Sequence, residues 1–247
     1  MNWRRLRRAV ALVFVLLLIV LDFLWIRLRG RMTLEMQALW LQNASRRVLR
    51  SLGVRVQVDG QPPARGLVVA NHLSYFDILI ISAAMPCFFV SKKEIAGWPY
   101  FGWAARTGGT IFLDRHSMRS ARVVAEEIAE RLKLPVPVML FPEGTSTDGT
   151  QVLRFHSRLI DPAAKVAAPI TAVAIRYVVA GGVAERELCF YGNAVFLPHA
   201  WKVMGVEGFT ALLRFGEPRI YSDRHEAAEQ TRAEVAAMRE VSPLAVK

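Results

Sequence analysis

Cysteine is scarce in this 247-residue chain: only Cys87 and Cys189 occur, about a hundred residues apart. Neither stands in a paired spacing, which excludes a disulfide framework and a cysteine-based metal site. Both are expected to be reduced thiols, buried in apolar runs of a cytosolic domain. No histidine–cysteine cluster offers a metal, so none is expected. Acidic residues are few, 21 against 32 Lys and Arg, for a net charge of +11. Basic residues interleaved with aromatics are missing from the globular part, which excludes a nucleic-acid groove as partner site. No G-x-S-x-G occurs, so the chain lacks the nucleophile elbow of serine hydrolases. Internal repeats and low-complexity tracts are absent too, so one catalytic-sized domain with a short appendage is expected.

What is abundant is apolar. Hydrophobic residues make up 53% of the chain and mean hydropathy is +0.26, an excess that points to a membrane element. Residues 1–50 hold ten arginines against Asp22 and Glu35 alone, so eight of the eleven net charges lie beside the most apolar stretch. An anionic lipid surface explains that placement. Ala9 to Ile26 is an apolar run of 18 residues broken only by Asp22. As a helix it reaches roughly 27 Å, just enough to cross the hydrocarbon. Arg27, Arg29 and Arg31 stand where a signal peptide would have its small-residue cleavage site, so an uncleaved anchor is expected. Arginine at both ends leaves spanning and lying in one leaflet both open.

A second helix is expected from about Thr33 to Leu52. Leu34, Ala38, Leu41, Ser45, Val48 and Leu52 recur at steps of three and four. Arg46, Arg47 and Arg50 lie off that stripe, which suits either a lipid interface or a helix packed on the domain with a solvated basic face. Residues 1–52 are therefore assigned to a membrane arm and 53–247 to a globular domain.

From Gly53 onward short β-rich runs alternate with helical patterns. Strands are expected at Val54–Val58, Leu67–Ala70, Cys87–Val90, Thr110–Leu113, Val136–Phe141, Ile170–Tyr177, Leu188–Tyr191 and Leu212–Phe215. Met118, Ala121, Ala125, Ile128 and Leu132 mark one helix face, with Ser117 as its N-cap. A polar helix at about Asp223 to Glu240 precedes a tail expected to be loose. The alternation predicts an α/β fold with a mostly parallel sheet flanked by helices.

Chemistry concentrates at strand ends. Asn71-His72-Leu73-Ser74-Tyr75-Phe76-Asp77 follows the run Leu67–Ala70, and α/β sheets build sites beyond the carboxyl ends of their strands. On a continuous helix His72 and Asp77 would diverge by about 140°. They can pair if His72 lies in the turn and the helix begins near Ser74, which would fix the imidazole tautomer and stabilise an imidazolium. The plainer alternative is a Ser74-x-x-Asp77 capping box beside a loop histidine. Phe141-Pro142-Glu143-Gly144-Thr145-Ser146 places a carboxylate and two hydroxyls in a tight turn, which can equally be structural. Gly108 to Arg115 ends a strand with an arginine, suited to gripping phosphate oxygens or to a surface ion pair.

Together these segments resemble the glycerolipid acyltransferase family, in particular the enzymes that make phosphatidate from lysophosphatidate. His72 and Asp77 match N-H-x-S-x-x-D in full, and Gly109 to Arg115 resembles G-x-x-F-x-x-R. Phe141 to Thr147 resembles F-P-E-G-T-R-S, and Ala168-Pro169-Ile170 resembles V-P-I. Ser91 to Pro99 is similar to the linker between the first two blocks. The likeness runs from about Val54 to Ile220. Ser146 departs from the pattern by standing where an arginine is expected, and Phe155-His156-Ser157 stands where Phe-Lys-x-Gly is common.

The resemblance implies that His72 is the base and Asp77 its partner. It implies that Arg115, Glu143, Gly144 and Thr145, with Lys93, bind the polar head of the acceptor. The acyl group would come from acyl-CoA or acyl-carrier protein as co-substrate, with no cofactor. The enzyme would sit on the cell membrane with its catalytic domain on the cytoplasmic face. Three rivals stand beside acyl transfer to lysophosphatidate. They are transfer to a non-phosphate lysolipid such as lyso-ornithine lipid, which Ser146 supports, a thioesterase or lipid hydrolase, and a non-catalytic lipid-binding protein.

Overall fold

A computed structural model describes residues 3–114 and 117–241; Arg115 and the tail beyond Val241 lie outside the described residues. Helix α1 (Trp3–Leu28) is followed by α2 (Leu34–Leu52). The Thr33 hydroxyl accepts the Met36 N–H at 3.2 Å to start α2. Gly53 ends it in the left-handed region at φ 72°, where a side chain would be strained and would also strike the Arg8 guanidinium.

The chain continues through β1 (Val54–Asp59), β2 (Leu67–Ala70), α3 (Phe76–Ala84), β3 (Phe88–Lys92), α4 (Phe101–Thr107), β4 (Ile111–Leu113) and α5 (Met118–Arg131). It closes with β5 (Val138–Leu140), α6 (Asp161–Lys165), β6 (Ile170–Val179), α7 (Phe196–Gly205), β7 (Phe209–Phe215) and α8 (Arg224–Glu240). Ser117 caps α5 as expected, accepting from Ser120 N at 3.1 Å. Asp223 caps α8 through two N–H bonds of 2.8 Å.

The seven strands lie in the order β1-β7-β6-β2-β5-β3-β4. Strands β6, β2, β5, β3 and β4 run parallel, and the β6–β7 pairing is the one antiparallel ladder among the described residues. Side chains of β2 alternate between two buried layers. Val68 and Ala70 pack with α2 and α3, while Leu67 and Val69 pack with α5, α6 and α8. Burial on both faces makes β2 uniformly apolar, as a central parallel strand requires.

The expected strand at Leu188–Tyr191 does not form. It follows a 3₁₀ turn at Glu185–Glu187, and Phe190 N–H bonds only the Leu73 carbonyl, at 2.8 Å, so no ladder exists for it to join. Leu188 and Cys189 are buried there as loop residues. Helices α4 and α7 were not anticipated.

The N-terminal helix is docked along its length. Arg8, only 7% exposed, donates to the Met204, Val206 and Glu207 carbonyls at the C-terminal end of α7, where a cation also meets the negative end of the helix dipole. Further along, Asp22 pairs with Arg47 of α2, and Phe23 packs edge-on against Trp40 and Trp103. Arg46 donates to the Ala83 carbonyl at the end of α3 at 2.8 Å. The apolar stripe of α2 is turned into the protein, where Leu41, Ser45, Val48 and Leu52 line an apolar cavity, and two of its three off-stripe arginines are engaged.

Candidate active site

The five parallel strands all deliver their carboxyl ends to one edge of the sheet, and the first and third sequence blocks leave β2 and β5 there side by side. The backbone after β2 turns through Asn71, whose amide bridges the Ile175 N–H (2.8 Å) and carbonyl (3.2 Å) on β6. That clamp fixes where His72 begins. Helix α3 then starts at Phe76, so Asp77 falls in its first turn.

Asp77 Oδ2 lies 2.7 Å from His72 Nδ1. An ionised carboxylate only accepts, so Nδ1 carries the proton and Nε2 is left as the basic nitrogen. The same oxygen accepts the N–H groups of Leu73 (2.6 Å) and Ser74 (3.0 Å), and Oδ1 accepts the Tyr177 hydroxyl. The capping-box reading is thus half realised: Asp77 reaches back to Ser74 N–H, but the Ser74 hydroxyl finds no partner among the described residues. Asp77 is fully buried, whereas the His72 side chain keeps 20% of its surface open.

The third block supports His72 from below. Phe141 stacks on the imidazole with ring centroids 4.2 Å apart and planes 19° apart. Glu143, only 4% exposed, accepts His72 N–H at 3.0 Å and Leu153 N–H at 3.3 Å. Burial raises its carboxyl pKa to about 7, against the lowering effect of those two N–H bonds and of His72 and Arg239. Gly144 turns the chain at φ 72°, and Thr145 beyond it is exposed. Ser146 donates to the Phe190 carbonyl, and Thr147 N–H donates to the His72 carbonyl at 2.9 Å.

The structure brings His72, Asp77 and Glu143 together, with Gly144 and Thr145 on the same turn. Glu143 faces inward to the protein's own backbone. Lys93 is 67% exposed and lies 3.5 Å from Asp114. It follows β3, two strand spacings of about 4.8 Å from β2 along the same edge. The position of Arg115, next after Asp114, lies outside the described residues.

An apolar cavity of about 980 Å³, counted with its open mouth, is enclosed by α1, α2, α3, α4 and α7. Tyr75 and Phe76, three and four residues past His72, form part of its wall, together with Leu16, Trp40, Ala200 and Val203. Sequence reading missed this cavity because part of its wall is carried by α4 and α7, which the sequence pattern did not mark as helices. It missed Tyr177 because a tyrosine inside an apolar strand run gives no sign of facing a carboxylate.

A family model described as Acyltransferase matches residues 54–176. The chain is 34% identical over 192 residues to the lyso-ornithine lipid O-acyltransferase of Pseudomonas aeruginosa, covering 76% of this chain and 74% of that protein. It is 36% identical over 136 residues to the 1-acyl-sn-glycerol-3-phosphate acyltransferase of Neisseria meningitidis, covering 53% of each. The crystal structure of the 1-acyl-sn-glycerophosphate (LPA) acyltransferase of Thermotoga maritima has the same fold, at 22% identity, TM-score 0.68 and 96% coverage of both chains.

Proposed function

The chain belongs to the acyltransferase family, as an enzyme of lysolipid type, and from that premise we propose how it works and on what. His72 Nε2 takes the proton of the lysolipid hydroxyl as its oxygen attacks the thioester carbon of acyl-CoA or acyl-carrier protein. The tetrahedral intermediate expels the thiolate, which recovers the proton from the imidazolium, giving ester and free thiol. Asp77 holds the imidazole in the required tautomer and stabilises its charge in between. The observation that carries this reading is the 2.7 Å His72–Asp77 contact, made on the same segment whose next residues, Tyr75 and Phe76, line an apolar cavity.

The acceptor we favour is a lyso-ornithine lipid, whose head has no phosphate. Ser146 stands where the family pattern has an arginine and spends its hydroxyl on the Phe190 carbonyl, so this turn offers no cation to a phosphate at that position. The relative from Pseudomonas aeruginosa, matched over most of both chains, carries that substrate in its name. Lysophosphatidate is the second reading, favoured by the place of Arg115 in the second block.

Helix α1 is long and apolar enough to cross a membrane, but it touches the same domain at Arg8 and at Asp22, about 21 Å apart along its axis. We place it along one leaflet, with Val10, Phe14, Leu17 and Leu21 facing lipid and the catalytic domain on the cytoplasmic side. Leu197 and Trp201 of α7, both exposed, extend that surface.

The deciding experiment supplies purified protein with labelled acyl-CoA and acyl-carrier protein, and with lyso-ornithine lipid and lysophosphatidate in competition, products resolved by mass. Preferential acylation of lysophosphatidate would reverse the acceptor order. Release of free fatty acid without ester would remove the transferase reading.

A further inference from the structure

We propose that Tyr177 is a positioning residue for the His72–Asp77 pair, its hydroxyl holding the carboxylate oxygen that the imidazole does not use. The proposal rests on His72 acting as the base.

The two oxygens of Asp77 are served unequally. Oδ2 accepts three donors, all from residues 72–74 of its own loop. Oδ1 accepts the Tyr177 hydroxyl and no other donor among the described residues. In a site with no exposure to water, an unpaired charged oxygen is costly and drives its group toward the neutral form. The loop donors move with the loop, whereas Tyr177 comes from β6, beside β2 in the sheet and a hundred residues later. Tyr177 thus ties the carboxylate to the rigid part of the domain.

Tyr177 is itself fixed. Its N–H donates to Glu185 Oε1 at 2.7 Å, and Glu185 Oε2 receives Arg239 Nη2 at 2.9 Å. Arg239, largely buried near the end of α8, also donates to the Gly149 carbonyl at 2.7 Å. The phenol ring packs on Phe209 at 5.1 Å. Burial first, then the Asp77 charge, push the Tyr177 hydroxyl well above its ordinary range, so it remains a donor at every working pH. The other titratable groups around the pair are Glu185 and Cys189 beside Tyr177, Arg239 on Glu185, and Glu143 beneath His72.

Tyr177→Phe removes the hydroxyl and keeps the ring. The full-length variant should melt close to wild type, lose about 10-fold or more in kcat, and keep KM for donor and acceptor within about two-fold. The acid limb of its kcat/KM profile should move to higher pH, because a carboxylate deprived of a donor is protonated more readily; that limb belongs to the coupled pair. Wild-type kcat with an unmoved limb would overturn the proposal. So would a kcat loss that follows thermal stability with the limb unmoved, since that is a packing role only. His72→Ala separates the two readings. If it stays active, the base assignment fails; if it is inactive while Tyr177→Phe behaves as wild type, only the role of Tyr177 fails.

Discussion

The carboxylate of Glu143 accepts the backbone N–H of His72 at 3.0 Å. A residue that the family pattern associates with the acceptor is thereby spent on the loop that carries the base. With Phe141 stacked on the imidazole and Thr147 bonded to the His72 carbonyl, the third block forms the floor on which the first block rests.

That floor titrates. Glutamate ionises near 4.5 without burial, and Glu143 near about 7 in the folded protein, so the folded state binds more protons between those values. The stability this group contributes is complete below about pH 4.5 and is lost as pH rises through 7. Glu143→Gln should flatten the dependence of unfolding free energy on pH across that window, by up to roughly 3 kcal/mol. Denaturant melts at pH 5 and 7.5 measure it, and an unchanged slope would count against a proton on Glu143.

The pair itself should be indispensable. His72→Ala is expected to lower kcat by about 10²- to 10⁴-fold with circular dichroism and expression unchanged. Asp77→Asn should lose about as much, because an amide presents the wrong tautomer to the ring. Near wild-type turnover of His72→Ala would sink the mechanism.

Chain length should be read by the cavity. Ala200 lines it on α7, and Ala200→Trp shortens the space available. The preferred acyl donor should become shorter, each excluded methylene costing about 0.8 kcal/mol, or roughly four-fold in specificity constant. A competition assay with a ladder of acyl-CoA lengths reads this directly, and an unshifted profile places the acyl chain elsewhere.

The orientation of α1 can be tested with single cysteines at Trp3 and Leu28, both highly exposed; the native Cys87 and Cys189 are buried and add little background. If the helix lies in one leaflet, an impermeant maleimide added to sealed inside-out vesicles labels both positions. Labelling of one position only from each side would identify a span.

Much of this was legible because strong local signals coincide with element ends. Thr33, Ser117 and Asp223 sit at helix starts as sequence chemistry expects, and the apolar run at Leu67–Ala70 is a buried central strand. The His72–Asp77 contact was legible because a turn followed by a helix start can bring residues five apart together, as a continuous α-helix cannot. Leu188–Tyr191 misled because an apolar run without periodicity reads the same in a buried loop as in a strand. Tyr177, the inward turn of Glu143 and that of the α2 stripe depend on partners 70 or more residues away, or on helices without clear caps. No local pattern reports those contacts.

The clasp between Arg8 and α7 also bears on how the chain is made. Arg8 leaves the ribosome nearly 200 residues ahead of the carbonyls it holds. At about 5–20 residues per second that is a wait of roughly 10–40 s. Throughout it, α1 has only its sequence neighbour α2 to rest on, through Asp22–Arg47 and Phe23–Trp40. The Arg8 clasp can close only once α7 has been made, which puts it among the last long-range contacts of the fold to form.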